Sequence, residues 1–461
     1  MGNPTRSGLP AVLILLASCS FLPTFERPAA PVAEQWPVAA APGRAAGLSW
    51  RQVLPDARLQ ALIQAALEHN RDLRITIGRV AEARALYRIS DAEQRPTLNL
   101  GLSQSATRTP DDLSSTGRSA ISRRLDVELG VTAFELDFWG RVQSLSAAAQ
   151  AGYLATEQAR EAFRLSLIAD VASAHLALLD FDERLPLARE LLDNRRQKQA
   201  LIQRRRAVGL ATGLEDQAAA VAVEAARLQV IDLERNRQQA DQALTLLVGT
   251  RPPDLPAGRS LAGQDIQVDL AVAAPAEVLL NRPDVQAAEQ RLRAANANIG
   301  AARAAFLPRV GLSLALGTAG KSLAGLFDAG SGAWSFAPTL VQPLFDAGSN
   351  QATLDLAEAR QVVAVAEYEK TLQQAFREVA DLLIARDRLA AQLQTQESLE
   401  RSQHDRLRLV TARARAGVGN RLDLLDAQYE VTTATQGTLT LRRALLATAG
   451  QLYEALGGDG G

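Results

Sequence analysis

The chain repeats itself, and the repeat restricts the folds open to it. Asn70-Arg71-Asp72-Leu73 returns as Arg282-Pro283-Asp284-Val285, an offset of 212 from Asp72 to Asp284, and Arg95-Pro96 returns as Leu307-Pro308 at the same offset. Ala207-Val208-Gly209 then pairs with Ala416-Gly417-Val418, and Leu247-Val248-Gly249 with Ala455-Leu456-Gly457, both at an offset of 208 (Gly209 to Gly417, Gly249 to Gly457). A whole domain is therefore duplicated with one loop's worth of length variation. The copies, residues 57–249 and 277–457, are joined by a connector over 250–276 that opens Thr250-Arg251-Pro252-Pro253-Asp254-Leu255-Pro256 and cannot begin as helix.

Each copy has one internal order: a helix, two strands, then a helical hairpin. In the first copy residues 57–95 have helical pattern, stopped by Pro96. Strands are expected at about 97–107 and 124–137, where Leu98, Leu100 and Leu102, then Leu125, Val127, Leu129 and Val131, alternate with polar or small residues. The polar stretch Thr107–Arg123 between them reads as loop, and the phase flip to Phe134, Leu136 and Phe138 reads as a bulge or an exit from the sheet. In the second copy, strands are expected at about 309–319 (Val310, Leu312, Leu314, Leu316) and 333–344 (Trp334, Phe336, Leu340). Strands of about ten residues with one apolar face fit a membrane span. Four cannot close a barrel, since about eight is the practical minimum. Open edges in lipid leave backbone groups unsatisfied, so other copies of the chain must complete the sheet.

The hairpins, about 140–249 and 348–457, are unusually long. Between Ser349 and Arg415 there is neither proline nor glycine, enough for a rod of about 100 Å at 1.5 Å per residue. Leu372, Phe376, Val379 and Leu383 give a coiled-coil stripe, and alanine on the other faces suits a closed palisade of helices. The first-copy helix carries Pro186, where a kink is expected. The fold class is thus mainly α with membrane β-strands.

Composition excludes several functions. The net charge of −1 argues against nucleic-acid binding. His69, His175 and His404 are far apart and there is one cysteine, so no disulfide framework or ordinary zinc site is available. Gly320-Lys321-Ser322 lacks the earlier glycine of a phosphate-binding loop, no Gly-x-Ser-x-Gly elbow is present, and neither catalysis nor a cofactor is expected. The single cysteine is placed tellingly. Arg6 precedes the apolar run Ala11–Leu16, then Ala17-Ser18-Cys19, which reads as a secretory signal over 1–18 too short to span a bilayer. Its end resembles a bacterial lipobox, implying cleavage before Cys19, acylation of that residue and a lipid-anchored segment over 19–56; Ser20 rather than aspartate favours the outer membrane. No other stretch has about 18 consecutive apolar residues, so further membrane contact falls to the strands.

Taken together, Asn281-Arg282-Pro283-Asp284-Val285-Gln286-Ala287-Ala288-Glu289, Phe306-Leu307-Pro308, Asp137-Phe138-Trp139-Gly140-Arg141, Gln342-Pro343-Leu344-Phe345-Asp346-Ala347-Gly348 and Leu422-Asp423-Leu424-Leu425-Asp426-Ala427-Gln428 resemble the TolC-like outer-membrane channels, in their NodT-type lipoprotein branch. The resemblance runs from about Pro55 to Gly457. It implies a homotrimer whose strands form one β-barrel and whose helices form an α-helical barrel in the periplasm. A periplasmic adaptor would then link this duct to an inner-membrane pump of the resistance-nodulation-division type. A protein-secretion duct and a non-pore periplasm-spanning lipoprotein stand as alternatives.

The resemblance also points to sites. Gly209, Gly417 and Gly419 fall where the hairpins reverse and a positive φ is useful, and the family's adaptor contact falls on the same turns, giving Val208, Leu210 and Val418 as contacts. Asp423 and Asp426, at i and i+3, share one helix face. In a trimer they would make stacked acidic rings at the periplasmic gate, selecting cations. Arg421 lies close enough to weaken them, Ala414 stands where relatives often carry an aromatic residue, and the first copy offers only Glu215 and Ala218 at the equivalent positions.

Overall fold

A computed structural model describes residues 21–38 and 49–458; the signal segment and Cys19 lie outside the described residues. The chain folds as two compact units woven from alternating segments. One comprises Arg79–Glu157, Ala287–Tyr368 and the residues up to Pro28, the other Ala29–Gly78, Gln158–Gln286 and the residues from Glu369 on.

The first unit holds a four-stranded antiparallel sheet: β1 (Leu98–Thr109), β2 (Ala120–Leu136), β3 (Arg309–Gly320) and β4 (Gly332–Val341), in that order across the sheet. Leu100 lies opposite Leu129, which lies opposite Leu316, which lies opposite Trp334. A row above, Leu98, Val131, Leu314 and Phe336 align in the same way. These rows share one face, and it is open: Leu100 is 77% exposed and Trp334 76%. Asn99, Ser103, Glu128, Gly130, Ser313 and Ser335 take the other face. A sheet with its apolar residues turned outward is built for lipid, and its unpaired edges, β1 and β4, need neighbouring copies.

The strands depart from the expected bounds for clear reasons. The loop expected over Thr107–Arg123 is shorter, because Thr107, Arg108 and Thr109 pair with Ser122, Ile121 and Ala120. At the other end β4 stops at Val341, ahead of Pro343, which has no N–H to donate. The phase flip in β2 is a bulge between Val131 and Phe134. There Ala133 adopts a φ of 52° and its N–H donates to Ser313 Oγ at 3.1 Å.

Where the strands leave the sheet, the repeated motifs show their purpose. Asp137 caps helix α4 (Arg141–Ala207) by accepting from the N–H of Arg141 at 2.7 Å and of Gln143 at 2.8 Å. Trp139 Nε1 donates to the Pro308 carbonyl at 2.8 Å, and Arg141 grips Glu135 with two bonds of 2.8 and 2.7 Å. In the second copy, Asp346 accepts from Gly348 and Asn350 N–H at 3.0 and 2.9 Å at the start of α8 (Ser349–Arg415).

The second unit holds the main core. Helices α1 (Trp50–Val53), α2 (Ala57–His69), α5 (Gly213–Val248), α6 (Pro275–Asn281) and α9 (Arg421–Ala455) enclose Leu59, Ile63, Ile168, Leu176, Leu383 and Leu452 together with the middle of α4 and part of α8. The helix expected over 57–95 is divided at Asn70, which adopts an extended ψ of 130° and separates α2 from α3 (Arg71–Ala92). Asn70 Oδ1 caps α3 by accepting from Leu73 N–H, and its Nδ2 donates to the Leu247 carbonyl, both at 2.8 Å. Arg282, the repeat-equivalent residue ahead of α7 (Pro283–Ala304), does the same work for the second hairpin: its Nη1 donates to the Ala455 carbonyl at 2.7 Å. Equivalent positions thus clip the end of each hairpin with different side chains. Gly249 is required beside this clip, since a Cβ there would sit 2.4 Å from the His69 carbonyl oxygen.

Helix α4 runs without interruption through Pro186. It also contains a window of mean hydropathy 1.5, apolar enough to cross a membrane by composition. Leu165, Ile168, Val171 and Leu176 are buried in the core, so this is a core helix segment.

Candidate functional site

The two hairpin turns are built alike. After α4, Leu210 N–H donates to the Arg205 carbonyl at 2.8 Å and Gly209 N–H to that of Arg206 at 2.9 Å, with Gly209 at φ 77°. After α8, Val418 N–H donates to the Arg413 carbonyl at 3.1 Å and Gly417 N–H to that of Ala414 at 3.2 Å, with Gly417 at φ 76°. Both are Schellman closures, which need a left-handed residue and therefore favour glycine. Gly419 is glycine for a different reason. Its φ is not positive, but a Cβ there would come within 2.7 Å of the Ala414 backbone nitrogen. The turns leave Val208, Leu210 and Val418 largely exposed.

The helices that follow start differently. At the start of α5, Thr212 and Glu215 form a capping box: Glu215 accepts from the Thr212 N–H at 2.6 Å, and Thr212 Oγ1 accepts from the Glu215 N–H at 3.2 Å. These bonds to Thr212 hold the Glu215 carboxyl below the usual carboxylate range. At the start of α9, Asn420 Oδ1 accepts from the Leu422 N–H at 3.0 Å.

Asp423 and Asp426 have separate environments. Asp423 is exposed in the first turn of α9 and forms no ion pair among the described residues. Asp426 Oδ1 accepts from Lys198 Nζ at 2.5 Å, with Arg195 Nη1 3.7 Å away. Arg421 forms an ion pair with neither aspartate among the described residues and donates to Gln197 Oε1 at 3.3 Å. Two further bonds complete a latch between α4 and α9. Buried Asn194 Nδ2 donates to the Leu425 carbonyl at 2.8 Å, and the Arg195 guanidinium lies 3.4 Å from the centre of the Tyr429 ring. The cleft beside the latch has a volume of about 440 Å³ and is lined by Lys198, Arg205, Glu215, Asp423 and Asp426 among others.

Asn194, Arg195, Gln197 and Lys198 are the residues that sequence reasoning missed. They lie more than one full repeat away in sequence, 228 residues from Asp426 in the case of Lys198. The available signal was a spacing match: Arg195 and Lys198 stand at i and i+3 on α4, as Asp423 and Asp426 do on α9.

The latch is made of modest parts. A half-exposed ion pair contributes about 0–1 kcal/mol, a buried neutral hydrogen bond about 1 kcal/mol and a cation–π contact about 1 kcal/mol. Each protomer's latch is therefore worth only a few kcal/mol, which is within reach of a binding partner.

Comparison with known proteins agrees with this architecture. The family model for outer membrane efflux proteins matches residues 62–250 and again 274–458, once per repeat. The chain is 46% identical over 428 residues to outer membrane protein OprJ of Pseudomonas aeruginosa, covering 91% of this chain and 89% of that protein. It is 42% identical to the solvent efflux pump outer membrane protein SrpC of Pseudomonas putida, covering 97% and 96%. Among solved structures, the open state of the MtrE outer membrane channel of Neisseria gonorrhoeae superposes with a TM-score of 0.85 at 36% identity, covering 96% of this chain and 98% of that one. The chain belongs to the outer membrane efflux protein family: it is one protomer of a trimeric outer-membrane efflux channel that extends into the periplasm and works with an adaptor and an inner-membrane pump.

Proposed function

We propose that this channel is a passive exit duct for apolar small molecules, held shut at rest by the α4–α9 latch and opened by an adaptor seated on the hairpin turns. The observation that carries this reading is the neighbourhood of two features: exposed Val208, Leu210 and Val418 on glycine-fixed turns, and a latch of Asn194, Arg195 and Lys198 on the helices those turns end or begin. Adaptor contact extends over Gly209, Gly417 and Gly419, whose lack of side chains leaves the backbone accessible. The inner-membrane partner is of the resistance-nodulation-division type, and the solvent in the name of SrpC supports an apolar cargo. The channel itself carries no catalytic step; the energy comes from the pump.

In the shut state Asp423 supplies the free carboxylate at the gate, while Asp426 is held by Lys198. A carboxylate ring attracts cations by a few kcal/mol at an effective dielectric of about 20. Reconstituted channel is expected to prefer cations and to be blocked by multivalent cations from the periplasmic side. Asp423→Ala should remove most of the block and Asp426→Ala little of it. Equal effects of the two variants would defeat this division of roles. For the turns, Val208→Asp with Val418→Asp should abolish solvent resistance in cells while leaving the trimer intact; retained resistance would defeat adaptor contact there.

Cys19 is proposed as the acylated residue that anchors the mature chain. Cys19→Ala should abolish labelling by a radiolabelled fatty acid, and labelling that persists would place the anchor elsewhere.

A further inference from the structure

The outward face of the sheet ends, on its loop side, in two arginines whose side chains form no ion pair among the described residues. Above the apolar rows the register continues with Ala106 opposite Arg123 and Arg108 opposite Ile121. Successive side chains alternate between faces, so Arg108 and Arg123 lie on the same side as Leu98, Leu100, Leu102, Leu125 and Val127. Along β1 to β4 that side carries no aspartate or glutamate. The other side differs: Arg124 is held by both oxygens of Asp126 at 2.8 and 2.9 Å. Among the described residues, the side chains of Arg108 and Arg123 make neither a hydrogen bond nor an ion pair, and both residues are exposed.

Arg108 and Arg123 are diagonal neighbours across an antiparallel pair, placing their stems about 7–8 Å apart. Two like charges so placed repel each other, and the repulsion grows at the low-dielectric boundary of a membrane. An anion between them converts the repulsion into two attractions. The segments 110–119 and 321–331 join the strands at this end, whereas the helices join at the other. In an outer-membrane channel whose helices enter the periplasm, this end lies in the outer leaflet. The apolar rows then meet acyl chains, and the arginines, reaching upward on long stems, stand at headgroup level.

We propose that Arg108 and Arg123 form, on each protomer, a binding site for the phosphate groups of the phosphorylated glycolipid of the outer leaflet, lipopolysaccharide. The planar guanidinium suits bidentate phosphate recognition, and two of them suit a lipid with more than one phosphate. The inference rests on the channel's outer-membrane placement and is independent of the gate.

The test is native mass spectrometry of delipidated trimer titrated with bisphosphorylated lipid A, dephosphorylated lipid A and inorganic phosphate. The wild type should bind bisphosphorylated lipid A, saturating at one per protomer. Arg108→Gln with Arg123→Gln should weaken that binding about tenfold or more, and Arg108→Lys with Arg123→Lys should fall between, keeping charge without the bidentate fork. The same spectra report whether the trimer is intact, so misfolding cannot imitate the loss. Equal binding by the Gln variant, or equal binding of dephosphorylated lipid A by the wild type, overturns the proposal. Full displacement of the lipid by millimolar inorganic phosphate would make this a free-phosphate site and overturns the lipid assignment.

Discussion

The two hairpins have the same length and the same turn but are fastened differently. Helices α4 and α8 each run 67 residues, and α5 and α9 run 36 and 35. Helix α5 is tied to α4 by exposed pairs, Arg189 with Glu234 at 2.8 Å and Arg237 with Asp182, while Arg206 reaches Asp216 at 2.6 Å across the turn. Helix α9 is gripped from both sides. From α4 it receives the bonds of Asn194 and Lys198 and the stacking of Arg195 on Tyr429. From α8, Glu400 accepts from the hydroxyls of Thr435 and Thr438 at 2.7 and 2.5 Å, Glu397 accepts from Arg442 at 2.7 Å, and Gln396 donates to the Ala434 carbonyl at 2.9 Å. Gene duplication supplied two equal hairpins, and polar side chains on the second made it the one whose position is set by breakable bonds. The difference marks α9 as the moving element of the proposed gate.

The largest expected effect concerns the core that both hairpins share. His175 on α4 is driven down to a pKa of about 4 by burial, and Glu454 on α9 is driven up to about 7, also chiefly by burial. The signs oppose. The unfolded chain protonates His175 below pH 6.5 while the fold keeps it neutral, so its contribution is lost as pH falls from 6.5 toward 4. The unfolded chain ionises Glu454 above pH 4.5 while the fold keeps it protonated, so stability falls as pH rises from 4.5 toward 7. The slopes partly cancel in the wild type. Glu454→Gln should expose the histidine slope, about 1.4 kcal/mol per pH unit and about 3 kcal/mol in all, with stability rising toward neutrality. His175→Gln should leave the opposite slope. Thermal melts of the solubilised trimer from pH 4 to 8 measure both, and parallel slopes in the two variants would contradict the assignment.

Next in size, Asn194→Ala removes the side-chain donor to the Leu425 carbonyl, which keeps its partner within α9, and should cost up to about 1.5 kcal/mol. The same melts check it, and an unchanged midpoint would remove Asn194 from the latch. Gly209→Ala and Gly417→Ala should each cost about 1 kcal/mol, because both turns require a left-handed residue at that position. Equal costs with a conductance change only for Gly417→Ala would sharpen the contrast between the hairpins; a conductance change for Gly209→Ala alone would reverse it. The smallest effect belongs to Arg237→Ala, an exposed pair worth under about 1 kcal/mol, which should leave both melt and conductance unchanged.

Much of the fold was legible because it is periodic. The alternation of Leu98, Leu100 and Leu102, and the absence of proline and glycine from Ser349 to Arg415, correspond to β1 and to the whole of α8. Element ends were less legible, because they depend on partners distant in sequence. Thr107–Thr109 read as polar loop until Ala120–Ser122 lay opposite them, and Asn70 read as helical until its side chain met the Leu247 carbonyl. For the same reason the gate was half legible. Asp423 and Asp426 look identical in sequence, at i and i+3 on one helix, and only Lys198 and Arg195 on another helix tell them apart. Arg421, the nearer cation in sequence, goes to Gln197 instead.

The most direct test of the account is single-channel conductance in planar bilayers for two matched double variants. Arg195→Ala with Lys198→Ala breaks the hold of α4 on α9, and Arg189→Ala with Arg237→Ala removes as much positive charge from the hold of α4 on α5. A several-fold rise in conductance or open probability is expected for the first pair, and wild-type traces for the second. Equal conductance in both variants, whether raised or unchanged, would contradict the claim that the latch on α9 keeps the channel shut.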